Sequence, residues 1–193
     1  VELWLVSLKN TTAKRRELLV YPFVELVCGD VALETHYRNI LCLYNEASFD
    51  KATQAIVAFK HPFKEWHKTG YGFFSTSLPI ESFECRRESL IGPYGAFNEM
   101  SGLQGPSTRL GNHAVRGEDM IGALQGKVTL KPGETQEFVV VLGFTESRSE
   151  IGSLLKRFRS VEAAKQELVA ARATWGRILE RVWVETPDPH VNL

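Results

Sequence analysis

The chain has 193 residues, 44% of them hydrophobic and 24% charged, enough for one domain with a substantial core. Its 23 Lys+Arg balance 23 Asp+Glu, so no net field draws it to nucleic acid or anionic lipid, and RNA-binding and zinc-finger signatures are missing. No apolar run reaches the roughly eighteen residues of a membrane-spanning helix, and a cytoplasmic setting is expected. Cys28, Cys42 and Cys85 are odd in number and lack CxxC spacing, so they read as small buried hydrophobes.

Val1 to Leu8 alternates loosely and ends in the turn-like Lys9-Asn10-Thr11-Thr12. Arg16 to Cys28 resumes with Leu18, Val20, Tyr21, Phe23, Val24 and Val27, which predicts a hairpin of two strands. Pro22 inside the second strand indicates an edge position or a bulge. Val31 to Tyr37 fits neither period. Ile40–Tyr44 and Ala55–Phe59 are short apolar runs split by Asn45–Lys51. His61-Pro62 breaks the pattern, then Tyr71–Ser77 and Ile80–Cys85 read as strands. A long irregular stretch follows, after which Ile121–Leu130 and Glu137–Leu142 are strands around the turn Lys131-Pro132-Gly133-Glu134. Short strands with no helices alternating between them predict a mainly β chain, an antiparallel β-sandwich.

The character changes at Thr145. Ser147 and Glu150 have capping-box spacing, and Ile151, Leu154, Leu155 and Phe158 follow at helical intervals. A second helix is expected from about Val161 to Val182, with Val161, Ala164, Leu168, Ala171, Trp175, Ile178 and Val182 as its apolar stripe. That stripe suits packing against the sandwich or a neighbouring domain, or a coiled-coil seam. The organisation is thus a β-rich part over 1–144, two α-helices over 145–183 and an extended segment over 184–193. Both ends look cut, so the sequence reads as a piece of a longer protein.

The irregular stretch, Ser89 to Asp119, exceeds the ~12–15 residues usual for a structureless connection. It holds Tyr94, Phe97, Met100, Leu103 and Leu110, which a flexible linker does not need, so it reads as an ordered loop packed on the strands. Tyr94, Phe97, Asn98, Arg109, Asn112 and His113 combine aromatic faces with amide, guanidinium and imidazole groups. That mixture suits either sugar contact or a subunit interface.

Other chemistry is weaker. His36, His61, His67, His113 and His190 show no metal-binding spacing. There is no GxSxG and no P-loop; the GxxG of Gly92–Gly95 lacks the downstream Lys. Glu84, Glu88, Glu99, Glu118 and Asp119 read as solvated or loop-capping carboxylates, and Arg86-Arg87 as ion-paired.

Several segments together resemble one family. LWLVSLKNTTAKRRELLVYPFVELVCG, GYGFFSTSLPIESFECRRESLIGPYG, DMIGALQGKVTLKPGETQEFVVVLGFTES and ETPDPHVNL are similar, in order, to the start of glycoside hydrolase family 94, formerly glycosyltransferase family 36. That family contains the cellobiose and chitobiose phosphorylases, and cyclic β-1,2-glucan synthases carry a similar module. Pro93 departs from it, standing where the family often has Arg. The resemblance implies a β-supersandwich domain, galactose-mutarotase-like, plus linker helices leading to an (α/α)6 catalytic barrel. It further implies an inverting β-glycoside phosphorylase as parent, with inorganic phosphate as co-substrate, no metal or organic cofactor, and a homodimer. The β-domain itself would be non-catalytic. A free-standing carbohydrate-binding module and a purely structural interaction domain are the other readings of the residues.

Overall fold

The computed structural model describes residues 1–62, 64, 69–104, 109–181, 186–188 and 190. Two antiparallel sheets lie face to face. In chain order the strands are β1 (Glu2–Lys9), β2 (Arg16–Val20), β3 (Phe23–Glu25), β4 (Asn45–Asp50), β5 (Ala55–Lys60), β6 (Tyr71–Thr76), β7 (Ile80–Arg86), β8 (Val115–Arg116), β9 (Met120–Leu130) and β10 (Thr135–Thr145). The larger sheet has the order β1-β10-β6-β5-β4-β8, and in the smaller one β9 is flanked by β2 and β3 on one side and β7 on the other. The helices are α1 (Val31–Leu41), α2 (Arg87–Ile91), α3 (Ile151–Phe158) and α4 (Val161–Leu179). The expected antiparallel sandwich is therefore present.

The period-two rule sorts its residues. On β9, Met120, Leu124, Val128 and Leu130 enter the inter-sheet core with Ile56, Phe74, Phe138 and Val140 of the larger sheet. Ile121 and Ala123 face the other way, towards Leu90, Ile91 and Leu110 of the long loop. On the far side of the larger sheet, Phe73, Val139 and Val141 pack against Ile151, Leu155 and Ala164 of the two C-terminal helices. The stack thus runs helices, large sheet, small sheet, loop.

The hairpin expected over residues 1–28 does not form. β1 pairs with β10, Glu2 opposite Leu142, while β2 pairs with β9, Arg16 opposite Leu130. Strand composition favoured pairing but said nothing of partners more than a hundred residues away. β9 and β10, eleven residues each, offer longer ladders than β1 and β2 offer each other. Two crossovers, 10–15 and 131–134, consequently run side by side between the sheets. Asn10, 4% exposed, clasps them. Its amide NH2 donates to the carbonyls of Lys14 (2.8 Å), Leu130 (3.1 Å) and Lys131 (3.1 Å), and its Oδ1 accepts from Thr12 N at 3.0 Å. Its backbone N–H donates to Glu134 O at 2.9 Å. Pro22 does lie on an edge: β2 and β3 share one register along β9, and Pro22 keeps its carbonyl, which accepts from Leu124 N at 3.0 Å.

Three local readings change. Val31–Leu41 is a helix, capped by Asp30 Oδ1 on the N–H groups of Ala32 and Leu33, and Ile40–Tyr44 is its end plus a 3₁₀ turn. The residues between the two apolar runs are strand β4 itself, paired with β5 from Asn45–Lys60 to Asp50–Ala55. Its polar residues are held by partners distant in sequence: Lys60 Nζ donates to Asn45 Oδ1 at 2.9 Å and forms a buried ion pair with Glu34 of α1. The capping box does not form either, because Thr145 takes the Glu150 carboxylate and the Ser147 hydroxyl meets that of Ser149. A 3₁₀ turn, Arg148–Glu150, leads into α3 instead.

Of the α4 stripe, Val161 and Ala164 pack on the sandwich, whereas Leu168, Trp175 and Ile178 are exposed at 44%, 62% and 48%. Val182, like Trp183–Glu185 and part of the closing segment, lies outside the described residues. Among the described residues no helix is long and apolar enough to cross a membrane.

Asn10→Ala strips the carbonyls of Leu130 and Lys131 of a buried donor and is expected to destabilise the fold by about 2–3 kcal/mol, read from the urea unfolding midpoint. Asn10→Asp, which cannot donate to those carbonyls, is expected to cost at least as much. A loss below about 0.5 kcal/mol for both would mean that the clasp contributes nothing.

Candidate functional site

The outer face of the small sheet carries the long loop. Tyr21 and Phe23, two apart around Pro22, present their rings there beside Ile121 and Ala123 of β9. A register shift in β7 between Ile80 and Ser82 turns Ser82 and Glu84 to the same face. The described parts of the loop pack on the strands, as its apolar content required. It starts as α2, includes a 3₁₀ turn at Ser101–Leu103 and ends in β8. Gly95 passes so close to α2 that a Cβ there would lie 1.7 Å from the Ile91 carbonyl oxygen. Residues 105–108 lie outside the described set.

Three of the six expected contact residues anchor the loop to β7. Glu84 is 1% exposed, and its Oε1 accepts from the N–H groups of Cys85 (3.1 Å) and Arg86 (2.9 Å). Its Oε2 faces His113 Nδ1 at 2.8 Å. Gly111 makes room for this pair, since a Cβ there would lie 2.3 Å from the imidazole. Asn112 has φ +58° and exchanges two hydrogen bonds with Phe83: its N–H donates to Phe83 O at 2.8 Å, and its Oδ1 accepts from Phe83 N at 2.9 Å. Arg109 Nη2 donates to Glu81 O at 3.0 Å. Next to this latch a row of polar groups crosses the sheet. Leu110 N–H donates to Ser82 Oγ, the Ser82 hydroxyl donates to Gln125 Oε1, and Gln125 Nε2 donates to the Tyr21 hydroxyl at 3.3 Å.

The other three stand in the open half. Tyr94 is fully exposed. Phe97 is half exposed, its ring 5.8 Å from that of Phe23 with 30° between the planes. Phe97 and Asn98 line a cleft of about 360 Å³ together with Tyr21, Phe23 and Gln104, over a floor that includes Leu90. The structure therefore brings Phe97 and Asn98 into one site and puts Arg109, Asn112 and His113 elsewhere in the loop. Tyr21, Phe23 and Gln104 were not expected there. The signal for the first two was the Tyr-Pro-Phe sequence itself, because two aromatics flanking a Pro on an edge strand share one face.

Elsewhere among the described residues, Arg86, Arg87 and the thiols are paired or protonated. Arg86 pairs with Glu118 at 3.0 Å and Arg87 with Glu25 at 2.6 Å, as the sequence suggested. All three thiols are free, and burial pushes each of them up, so they stay protonated. Among the described residues no three His, Cys, Asp or Glu side chains assemble as a metal-ligand set. His61 Nε2 donates to Glu46 Oε2 at 2.8 Å, and His67 lies outside the described residues.

Comparison with known proteins agrees with this fold. The family model "Glycosyl hydrolase 94, supersandwich domain" matches residues 1–161. Solabiose phosphorylase of Paenibacillus borealis is 26% identical over all of this chain and 24% of its own length. Cellobionic acid phosphorylase of Neurospora crassa is 27% identical over 99% of the chain and 23% of its own length. The cyclic beta-(1,2)-glucan synthase of Rhizobium meliloti is 24% identical over 97% of the chain but only 6% of itself. The chain thus spans about a quarter of the length of the phosphorylases it matches.

Two measurements probe these contacts. Asn112→Ala adds left-handed strain and removes the bond to Phe83, for an expected loss of about 2 kcal/mol; Asn112→Gly, free of the strain, is expected to lose about half of that. Hydrogen exchange at the Phe83 amide reports both, and equal losses would discount the backbone argument. The second concerns pH. The hydrogen bond from His61 holds the Glu46 carboxyl below its ordinary value against burial, with Arg116 adding to the effect. A depressed folded-state value gives stability that is present above the unfolded value and is lost as pH falls through the folded one. The stability difference between the native chain and Glu46→Gln is therefore expected to be present at pH 6 and to shrink as acid takes the pH below the ordinary carboxylate range. A difference that persists in acid would contradict the assignment.

Proposed function

The chain belongs to the glycosyl hydrolase 94 supersandwich-domain family, and from that premise we propose that it is the non-catalytic β-module of an inverting β-glycoside phosphorylase. The carrying observation is coverage: the whole chain aligns with about a quarter of each phosphorylase, leaving the greater part of those polypeptides for the chemistry. In this reading an (α/α)6 barrel of the same polypeptide cleaves a β-linked disaccharide with inorganic phosphate, giving a sugar 1-phosphate with inversion. No metal or organic cofactor is needed, and the enzyme works in the cytoplasm as a homodimer. No residue of this chain has a catalytic role.

The module contributes a scaffold and a contact surface. Arg109, Asn112 and His113 are positioning residues, fixing one end of the loop on β7. Tyr94, at the exposed end, is the residue available to a barrel wall or a second subunit. The match to the cyclic glucan synthase favours one second reading, the equivalent module of a glucan synthase.

The full-length polypeptide is expected to release a sugar 1-phosphate from a β-linked disaccharide only when phosphate is supplied, and the 193-residue chain alone to release none. Glucan formation from a nucleotide sugar would favour the second reading; hydrolysis to free sugars would sink both. Tyr94→Ala is expected to raise KM for the disaccharide about tenfold without changing the melting temperature. An unaltered KM would remove Tyr94 from the wall.

A further inference from the structure

We propose that the cleft between the β2–β3 edge and residues 92–104 binds one pyranose unit of a β-linked glucan, using residues of this chain alone. The choice of sugar class rests on the phosphorylase reading; the site itself rests on geometry. Tyr21, Phe23 and Phe97 supply three aromatic side chains around one opening. The Phe23 and Phe97 rings are tilted by 30°, so they open as a wedge and do not close as a stack. The axial C–H face of a β-glucoside is apolar and suits such a ring face, while its equatorial hydroxyls need donors and acceptors at the rim. Asn98 and Gln104, both exposed, supply two amides there, each a donor and acceptor fork.

Charge selects among ligands. Among the described residues no Lys, Arg, Asp or Glu lines the cleft, which suits a neutral polyol better than phosphate or a charged peptide. At about 360 Å³ it lies at the small end of ligand sites, which fits one sugar ring with solvent access on one side. The site is also held in place. Gln125 donates to the Tyr21 hydroxyl, and Ser82, which also receives the Leu110 N–H, holds Gln125 in turn. Tyr21 is thereby fixed from behind by the same polar row that anchors the loop.

The test is titration of the 193-residue chain with methyl β-D-glucopyranoside and with cellobiose, followed by saturation-transfer NMR and calorimetry. The expected dissociation constant is on the order of millimolar, with transfer strongest at the axial ring protons. Phe97→Ala is expected to weaken binding about tenfold, Phe97→Trp to restore it, and Gln104→Ala to weaken it several-fold. Phe97 and Gln104 are exposed, so the variants are expected to melt with the native chain, which circular dichroism checks. No saturation transfer, or binding that Phe97→Ala leaves unchanged, overturns the proposal. The phosphorolysis assay on the full-length polypeptide keeps the two ideas apart. Sugar 1-phosphate release without cleft binding removes the cleft and keeps the enzyme reading. Cleft binding without phosphorolysis keeps the cleft, which then acts as a free-standing carbohydrate-binding module.

Discussion

Everything in this fold depends on two chain crossings being held together, and one buried amide does it. Asn10 bonds both crossovers at the point where the chain leaves one sheet for the other. That clasp sits where β1 runs beside β10 and β2 beside β9, a pairing in which β9 is the middle of the small sheet. A middle strand has two faces to cover. Its inner residues meet the large sheet; its outer Ile121 and Ala123 are equally apolar and would face water without the loop. The order of the long loop thus follows from the burial needs of β9.

The loop is attached in two different ways, and the difference creates the site. At its C-terminal end the attachment is polar and directional. Glu84 is buried with its oxygens on two backbone N–H groups and an imidazole, an arrangement that tolerates little movement because a vacated buried acceptor is costly. At the other end the attachment is apolar, through Leu90, Ile91, Met100 and Leu103, which leaves the outward residues free to contact something else. The cleft forms at the apolar end, where Phe97 leans over Phe23.

Much of the strand pattern was legible because β-branched and aromatic residues recur between turns, and Pro22 marked an edge correctly. What was hidden is non-local. Asn45–Asp50 is polar enough to pass for a connection, and is a strand whose Asn45 and Glu46 side chains are met by Lys60 and His61. Ser147 and Glu150 had capping-box spacing, but Thr145 competes for the carboxylate. The site shows the same limit. An aromatic and amide-rich loop could be read as a contact surface, yet which of its six residues anchor and which stay open is decided by Glu84, Ser82 and the β7 bulge, outside the loop.

The layer order also constrains how the proposed enzyme is put together. Helices α3 and α4 cover the outer face of the large sheet, and the loop covers the outer face of the small one. The exposed apolar residues of α4, among them Trp175, Ile178 and Leu179, continue the helix whose Val161 and Ala164 pack on the large sheet. Within the phosphorylase reading, that exposed stripe is an apolar face for a following domain to cover. In the same reading Tyr94, fully exposed, stands open to a barrel of the same polypeptide or to a second copy.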